Sequence, residues 1–150
     1  MKERQKAAAF FEGLDREAIR DAIREAESQG RGEIRVHLHH GRVADPRAAA
    51  EKTFEKLGMT KTSERTGCLL FIAPEEKAFA VIGDRGIHEK VGDDFWLEAR
   101  DRAAARFAEG RFTEGIVEAV RLLGNALGRH FPRAEGKIDV NELSDDVSED

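Results

Sequence analysis

The chain has 150 residues, which favours a single domain, and 37% of them are Asp, Glu, Lys or Arg. The formal net charge is −5, and seven of the acids but only one base lie in residues 134–150. The rest of the chain is therefore close to neutral. A near-neutral body with an acidic end has no basic surface for a phosphate backbone, so the sequence excludes nucleic acid as the expected partner.

One cysteine, Cys68, occurs in the chain, so no internal disulfide can form. It lies within an apolar run, and we expect it to be a small buried hydrophobic residue. The amino-terminal region contains no apolar stretch long enough for a signal peptide, and no stretch of the chain has the length of a membrane span. We therefore expect a cytoplasmic protein without direct membrane insertion.

The first part of the chain predicts two helices and a strand. The helices cover residues 2–11 and about 15–28, and Asp15 has the residue type and position of an N-cap. Residues 33–40 alternate apolar and polar side chains, with Ile34, Val36 and Leu38 on one face and Arg35, His37 and His39 on the other. This period of two predicts a strand that is covered on one face only.

The middle of the chain predicts a helix followed by two buried strands. Asp45 precedes Pro46, a strong helix start, and the helix extends to about Leu57. A strand, a helix and another strand favour a crossover with parallel strands. The next two strands, residues 68–73 and 78–82, are continuous apolar runs joined by a short turn, as in strands buried on both faces. We therefore expect a central hairpin with helices over both faces.

The last part predicts three helical segments and a tail. A single helical turn is expected at residues 87–91, then a helix over 95–108 capped by Asp93 or Asp94, and a final helix from Thr113 to about Leu127. Residues 1–133 then form the domain. Residues 134–150 are acidic and poor in large apolar residues, which predicts a disordered or loosely draped tail, although residues 141–143 and Val147 have the character to dock.

Two groups of residues have the chemistry of metal ligands. The first contains four acids after the third predicted strand, where oxygen ligands suit a hard cation such as Ca²⁺: Asp84, Glu89, Asp93 and Asp94. The second pairs His37 and His39, two residues apart on one strand, with His88 as a third ligand for zinc. An ordinary charged loop and a solvated strand face are the competing interpretations.

The residues give little support to nucleophilic catalysis. The few serines do not lie in a nucleophile elbow, and the single cysteine is expected to be buried. A glycine-rich phosphate cradle is also disfavoured, because residues 83–86 lack the full spacing of such a motif; Arg85 would attract a phosphate there, whereas Asp84 would repel it. No catalytic residue is therefore predicted.

Several stretches taken together resemble the TPM domain family, which is named after a thylakoid lumen protein, a photosystem II repair protein and an acetylcholine-receptor modulator. The order and spacing of the stretches carry the resemblance, and they are residues 32–36, Ala50 with Phe54 and 57–59, 65–70, 81–88, 107–112 and 114–116. The end of the chain, with residues 131–132 and 141–143, is similar to a cytosolic bacterial branch of that family.

The resemblance implies a three-layer α/β/α sandwich with a small mixed, mostly parallel sheet that contains a β-hairpin. It also implies Ca²⁺ or another divalent cation in loops at one end of the sheet, acid phosphatase activity in a plant member, and assembly or maintenance of membrane complexes in others. The family's acid after the third strand falls near Asp93 or Asp94. Its Gly-Xaa-Glu turn falls on residues 86–88, where His88 replaces the acid, and its aspartate before the first long helix is absent from residues 8–11.

Three functions remain open from the sequence. The first is a non-catalytic interaction or regulatory module, stabilised by a divalent cation, that acts on an unknown protein partner, including one associated with a membrane. The alternative is a weak metal-dependent phosphatase for phosphomonoesters, with Asp84, Asp93 and Asp94 around the cation and Arg85 on the phosphate. The third is a scaffold whose acidic residues 134–150 bind a basic partner.

Overall fold

The computed structural model describes residues 2–133 and 147–150, which form six α-helices and four β-strands. The helices are α1 (Lys2–Glu12), α2 (Arg16–Glu27), α3 (Pro46–Lys56), α4 (Arg85–Val91), α5 (Asp93–Ala108) and α6 (Phe112–His130). The strands are β1 (Glu33–Leu38), β2 (Gly67–Ala73), β3 (Ala78–Gly83) and β4 (Val147–Glu149).

The four strands form one mixed sheet in the order β3-β2-β1-β4. Strand β1 pairs in parallel with both β2 and β4, whereas β2 and β3 form an antiparallel hairpin. Helix α3 packs on β2 and β3 from one face, and α2, α5 and α6 lie against the other face. The predicted α/β sandwich, its parallel first crossover pair and its hairpin are therefore confirmed.

Strand β2 is the apolar centre of the sheet. Its side chains alternate between two cores: Cys68, Leu70 and Ile72 face the larger core beneath α2 and α6, while Leu69 and Phe71 face α3. All seven residues of β2 are buried, as a continuous apolar run predicts. The prediction that the second apolar run is also buried on both faces is wrong, because β3 is an edge strand of the sheet and most of its residues are only half-buried.

The prediction that β1 is covered on one face only is wrong. All six of its residues are buried, including the polar side chains of Glu33, Arg35 and His37. Strand β1 is an interior strand between β2 and β4, and side chains of both neighbours lie against its polar face: the ring of His37 stacks on Phe71 of β2 and contacts Ser148 of β4. The alternating pattern correctly separates the apolar and polar faces of β1, but it cannot show that the polar face is also enclosed.

Strand β4 departs from the predicted tail. Val147–Glu149 pairs with residues 36–38 of β1, and Val147 packs against the larger core, in line with its expected docking. Glu149 ties the strand to its surroundings, because its carboxylate accepts a hydrogen bond from Arg16 at 2.6 Å and contacts His40. The rest of the predicted tail, residues 134–146 with the segment 141–143, lies outside the described residues.

The helix starts are confirmed at two positions and corrected at a third. The carboxylates of Asp15 and Asp45 cap α2 and α3 as predicted. The cap of α5 is neither Asp93 nor Asp94 but Gly92, whose φ of 77° lies in the left-handed region that favours glycine. The two aspartates lie in the first turn of α5, where the helix dipole favours an anion.

Candidate functional site

The first candidate site is a cleft at the carboxyl end of β3, with a volume of about 430 Å³. Its walls come from α3, the segment before β2, the end of β3, α4 and the beginning of α5. The charged and aromatic side chains that line it are Arg47, Glu51, Phe54, Glu55, Arg65, Asp84, Arg85, His88 and Trp96. The cleft is thus polar at its rim and includes both Asp84 and Arg85 of the sequence-based hypotheses.

Asp84 is the buried acid of this cleft, with 7% of its surface exposed. Its carboxylate accepts two hydrogen bonds from the guanidinium of Arg65, from Nε at 2.6 Å and from Nη2 at 2.9 Å. It also caps α4, because Oδ1 accepts the backbone N–H of Arg85 at 2.8 Å. The bond to Asp84 raises the pKa of Arg65 above its ordinary value. The negative charge of Asp84 is therefore compensated within the protein.

Two glycines allow the elements around Asp84 to approach closely. A Cβ at Gly86 would lie 2.0 Å from the carbonyl oxygen of Glu64, so the first turn of α4 can pack directly on the backbone before β2. A Cβ at Gly83 would lie 2.2 Å from the ring of Trp96. Glycine at both positions lets the indole and Arg65 come to the end of β3 and form the cleft.

His88 and Trp96 form a second polar contact within the cleft. The indole Nε1–H of Trp96 donates to Nδ1 of His88 at 2.9 Å, and the two rings are nearly parallel. Because Nδ1 accepts this bond, the proton of the neutral imidazole resides on Nε2. That nitrogen lies 3.5 Å from Oδ1 of Asp93. His88 is therefore oriented by its neighbours in the cleft.

Arg85 is the exposed cation at the beginning of α4. Arg65 pairs with Asp84, and Arg47 pairs with Glu51 at 3.3 Å. Arg85, in contrast, forms no ion pair with the described side chains, those of residues 7–133 and 147–150. An exposed guanidinium without an internal counter-ion is available to a carboxylate or phosphate from outside the chain.

The four predicted calcium ligands lie near one another in the chain but differ in their surroundings. Asp84 is engaged by Arg65, Glu89 is exposed on α4, and Asp93 and Asp94 are exposed in the first turn of α5. In the described part of the chain, no three of these acids bring carboxylate oxygens within 4.8 Å of one another. Calcium binding here stays a prediction.

The predicted histidines lie at two ends of the molecule. His37 and His39 lie at the carboxyl end of β1, whereas His88 lies in the cleft, beyond the opposite end of the sheet. Six residues of strand separate these ends, about 20 Å at 3.3 Å per residue. The structure therefore does not bring His88 to the other two. Instead, Asp150 joins them, and the ligand atoms of His37, His39 and Asp150 all lie within 4.8 Å of one another.

Sequence reasoning missed three residues of these two places. From the sequence, Arg65 is only the first residue of the stretch 65–70, Trp96 lies within the predicted helix 95–108, and Asp150 lies in the predicted tail. The sequence contains one signal for Arg65. This basic residue comes just before β2, and the acid Asp84 comes just after β3, the hairpin partner of β2. The sequence contains no such signal for Asp150, because β4, the three-residue strand before it, is too short to show a periodic pattern.

Among the described residues, none of the helices combines the length and the apolar character that crossing a bilayer requires.

Comparisons with known proteins agree with this architecture. No curated protein sequence matches the chain. The chain is similar to the NMR structure of the BA42 protein from the psychrophilic bacterium Bizionia argentinensis, with 38% sequence identity and a TM-score of 0.81, over 92% of this chain and 96% of that one. The model of the TPM domain matches residues 5–126. This chain therefore belongs to the TPM domain family.

Proposed function

We propose that this protein is a non-catalytic interaction or regulatory module whose cleft at the carboxyl end of β3 recognises an anionic group on a partner protein. The observation that carries the proposal is the contrast between two neighbours. Asp84 is buried and fully engaged by Arg65 and by the first N–H of α4, whereas Arg85 is exposed and unpaired within the described residues. The guanidinium of Arg85 is thus accessible to a ligand in the cleft, whereas the carboxylate of Asp84 is not.

The engagement of Asp84 bears directly on catalysis. A general base needs a carboxylate that can reach a substrate proton, and a metal ligand needs a lone pair directed outward. Both oxygens of Asp84 already accept hydrogen bonds from Arg65, and one also accepts from the backbone. Freeing this carboxylate would leave Arg65 without its partner. Asp84 is therefore best explained as a structural residue that holds α4 and Arg65 in place.

The cleft suits a small anionic group better than a large apolar ligand. Its volume of about 430 Å³ is at the lower end of ligand pockets. Arg85 supplies a planar fork that matches a carboxylate or phosphate, and Trp96 supplies an aromatic wall. A side chain or modified residue of a protein partner fits these features, and partners associated with a membrane belong to the same proposal. The cytoplasmic location stays a prediction.

The second candidate is the metal-dependent phosphatase. The observation that favours it is that Arg85 lines the cleft together with Asp84 and with His88, whose Nε2 lies 3.5 Å from Oδ1 of Asp93. Cations, acids and an imidazole are arranged in this way in phosphoryl-transfer sites. It needs Asp84 to exchange Arg65 for a metal ion. This requirement makes it the weaker of the two candidates.

A divalent cation is a further part of the proposal. Glu89, Asp93 and Asp94 are exposed and can share a cation such as Ca²⁺ with water molecules. The amino end of α5 carries a positive dipole, which opposes a cation at Asp93 and Asp94. We therefore expect the affinity for calcium to be weak and its effect to be stabilisation rather than catalysis.

The test compares two arginine variants. Arg85→Gln removes the unpaired cation of the cleft, and Arg121→Gln removes an exposed arginine of α6 as a matched control. Partners captured by the immobilised protein are purified, and their affinities for the wild type and both variants are measured by titration calorimetry. We expect Arg85→Gln to weaken binding at least about tenfold, because the loss of one charge-assisted hydrogen bond corresponds to a change in affinity of that size. Arg121→Gln is expected to leave the affinity unchanged.

Two results would contradict the proposal. One is equal affinity of the wild type and Arg85→Gln for every purified partner. The other is hydrolysis of a phosphomonoester such as p-nitrophenyl phosphate by the purified protein, with loss of turnover in Arg85→Gln and after EDTA treatment, which would establish the phosphatase instead.

A further inference from the structure

The carboxyl ends of β1 and β4 meet at the point where the topology of the sheet divides. From β1 the chain crosses through α3 to β2 on one side, while β4 lies on the other side of β1. In open α/β sheets, ligands bind in the crevice outside the carboxyl ends of strands at such a switch point. His39 and Asp150 follow directly after these two strands, and His37 lies within the end of β1.

The backbone holds this place firmly. The N–H of Asp150 donates to the carbonyl oxygen of Leu38 at 3.1 Å, and the N–H of His40 donates to the carbonyl oxygen of Asp150 at 2.9 Å. On the other side, the N–H of His39 donates to the carbonyl oxygen of Ile72 at 2.8 Å. The ladder therefore continues past the ends of both strands and fixes the positions of His39 and Asp150.

Three potential ligand atoms converge there. Oδ1 of Asp150 lies 3.0 Å from Nε2 of His37 and 2.6 Å from Nδ1 of His39. Tetrahedral zinc with bonds of about 2.0 to 2.1 Å holds its ligand atoms about 3.3 Å apart. Small rotations of the side chains therefore convert the observed contacts into a coordination shell. The ring of Phe71 lies nearly parallel to both imidazoles, at 5.7 and 5.5 Å, and restricts their orientation.

The ring of His37 carries the independent observation that points to a ligand. The residue is 3% exposed, and its Nε2 has no hydrogen-bond partner, because the nearby carboxylate of Asp150 is not aligned with it. A buried polar atom without a partner is unfavourable, because it has lost its hydrogen bonds to water without replacement. The other nitrogen, Nδ1, lies 2.7 Å from Oγ of Ser148. When Nδ1–H donates to that hydroxyl, Nε2 presents a lone pair, as in histidines that bind metals.

We propose that His37, His39 and Asp150 form a binding site for a divalent transition metal ion of the zinc type. Two imidazoles and one carboxylate suit zinc and its neighbours, whereas calcium prefers oxygen ligands alone. Three protein ligands leave a fourth position of a tetrahedral ion to water or to a group from a partner. The site lies at the opposite end of the strands from the Arg85 cleft, and its existence does not depend on the function proposed for that cleft.

The competing explanation is a hydrogen-bonded cluster without a metal ion. Burial alone would raise the pKa of Asp150, but the two imidazoles outweigh this effect and lower the pKa below its ordinary value. In this explanation the carboxylate of Asp150 is held by the two imidazoles alone. Only the metal site predicts saturable binding of added Zn²⁺, so a zinc titration separates the two explanations.

The experiment titrates the untagged full chain with Zn²⁺ after treatment with EDTA and dialysis, in competition with a chromogenic chelator. We expect one equivalent of Zn²⁺ to bind. His39→Ala and Asp150→Asn are each expected to weaken zinc binding at least about 100-fold, because removing a direct ligand weakens binding more than removing a residue that only orients a ligand. Ser148→Ala, which removes only the partner of His37 Nδ1, is expected to weaken it about 10- to 100-fold. The matched controls His88→Ala and Asp21→Asn are expected to bind like the wild type.

A thermal melt provides the second measurement. Zn²⁺ is expected to raise the unfolding temperature of the wild type and of His88→Ala but not of His39→Ala, whose side chain is 25% exposed and whose loss the fold tolerates best. Near-ultraviolet circular dichroism checks that each variant is folded. The proposal fails if the wild type shows no saturable binding, if His39→Ala and Asp150→Asn bind like the wild type, or if His88→Ala is weakened as much as they are.

Discussion

At the scale of single residues, Asp84 joins more of the structure than any other acid of the cleft. It follows β3 directly, caps α4 and holds the guanidinium of Arg65. The backbone of Arg65 is in the left-handed region, at φ 57°. A buried carboxylate is costly unless every lone pair finds a donor, and here the donors come from two different segments. The position of the cleft therefore depends on one side chain.

The substitution Asp84→Asn tests this dependence. The amide still caps α4, but it removes the charge that compensates Arg65, so we expect the free energy of unfolding to fall by about 2 kcal/mol. Urea denaturation of the wild type and the variant measures the loss. Asp21→Asn is the control, because its pair with Arg24 is exposed on both sides and contributes less than about 1 kcal/mol. Equal losses in both variants would contradict the structural role of Asp84.

At the scale of elements, β4 is the shortest of the four strands in the described residues, and it depends on its side chains. Three residues of pairing with β1 are little support for a strand on their own. Glu149 adds contacts outside the sheet: Arg16 of α2 binds its carboxylate, and His40, which stacks on Phe11 of α1, contacts it as well. The strand is thus connected to the layer of helices as well as to β1.

The pH dependence of stability reports this connection. The hydrogen bond from Arg16, followed by that from His40, lowers the pKa of Glu149 below its ordinary value of 4.5. A lowered pKa means that the stabilisation is complete above about pH 4.5 and is lost as the pH falls through the lower folded value. We therefore expect Glu149→Gln to be less stable than the wild type near neutral pH, and the difference to vanish in acid.

Urea denaturation from about pH 2 to 6 measures this difference, with Glu25→Gln as the control. Glu25 is exposed on α2, and its carboxylate has no partner within the described residues. A difference for Glu149→Gln that stays constant over this range would show that its carboxylate is not held by Arg16 and His40.

At the scale of the whole molecule, the sequence predicts the layers well and the sites less well. The apolar run of β2, the caps Asp15 and Asp45 and the crossover pair depend on local patterns, and the structure confirms them. The edge position of β3 and the enclosure of β1 depend on where distant segments pair, which a local pattern does not encode. The pairing of Asp84 with Arg65 and of His39 with Asp150 depends on the same long-range arrangement.

Calcium provides a prediction for the molecule as a whole. If the exposed acids hold Ca²⁺ only in the folded state, a hundredfold excess over the dissociation constant stabilises the fold by about 2.7 kcal/mol and raises the unfolding temperature. The double variant Asp93→Asn with Asp94→Asn is expected to lose this increase, whereas His39→Ala is expected to keep it. An unfolding temperature that does not change up to tens of millimolar calcium would remove the cation from the proposed function.

The pairing of β4 with β1 also bears on how the protein is made. The paired residues are separated by 111 positions, so during synthesis β1 can pair with β2 long before β4 exists. Ribosomes add about 5–20 residues per second, and the interval from the end of β2 to β4 is therefore several seconds. During that time one side of β1 is an open edge, with unpaired N–H and C=O groups that a neighbouring nascent chain can use. The pairing of β4 thus covers an edge of β1 that is open to aggregation in newly made chains.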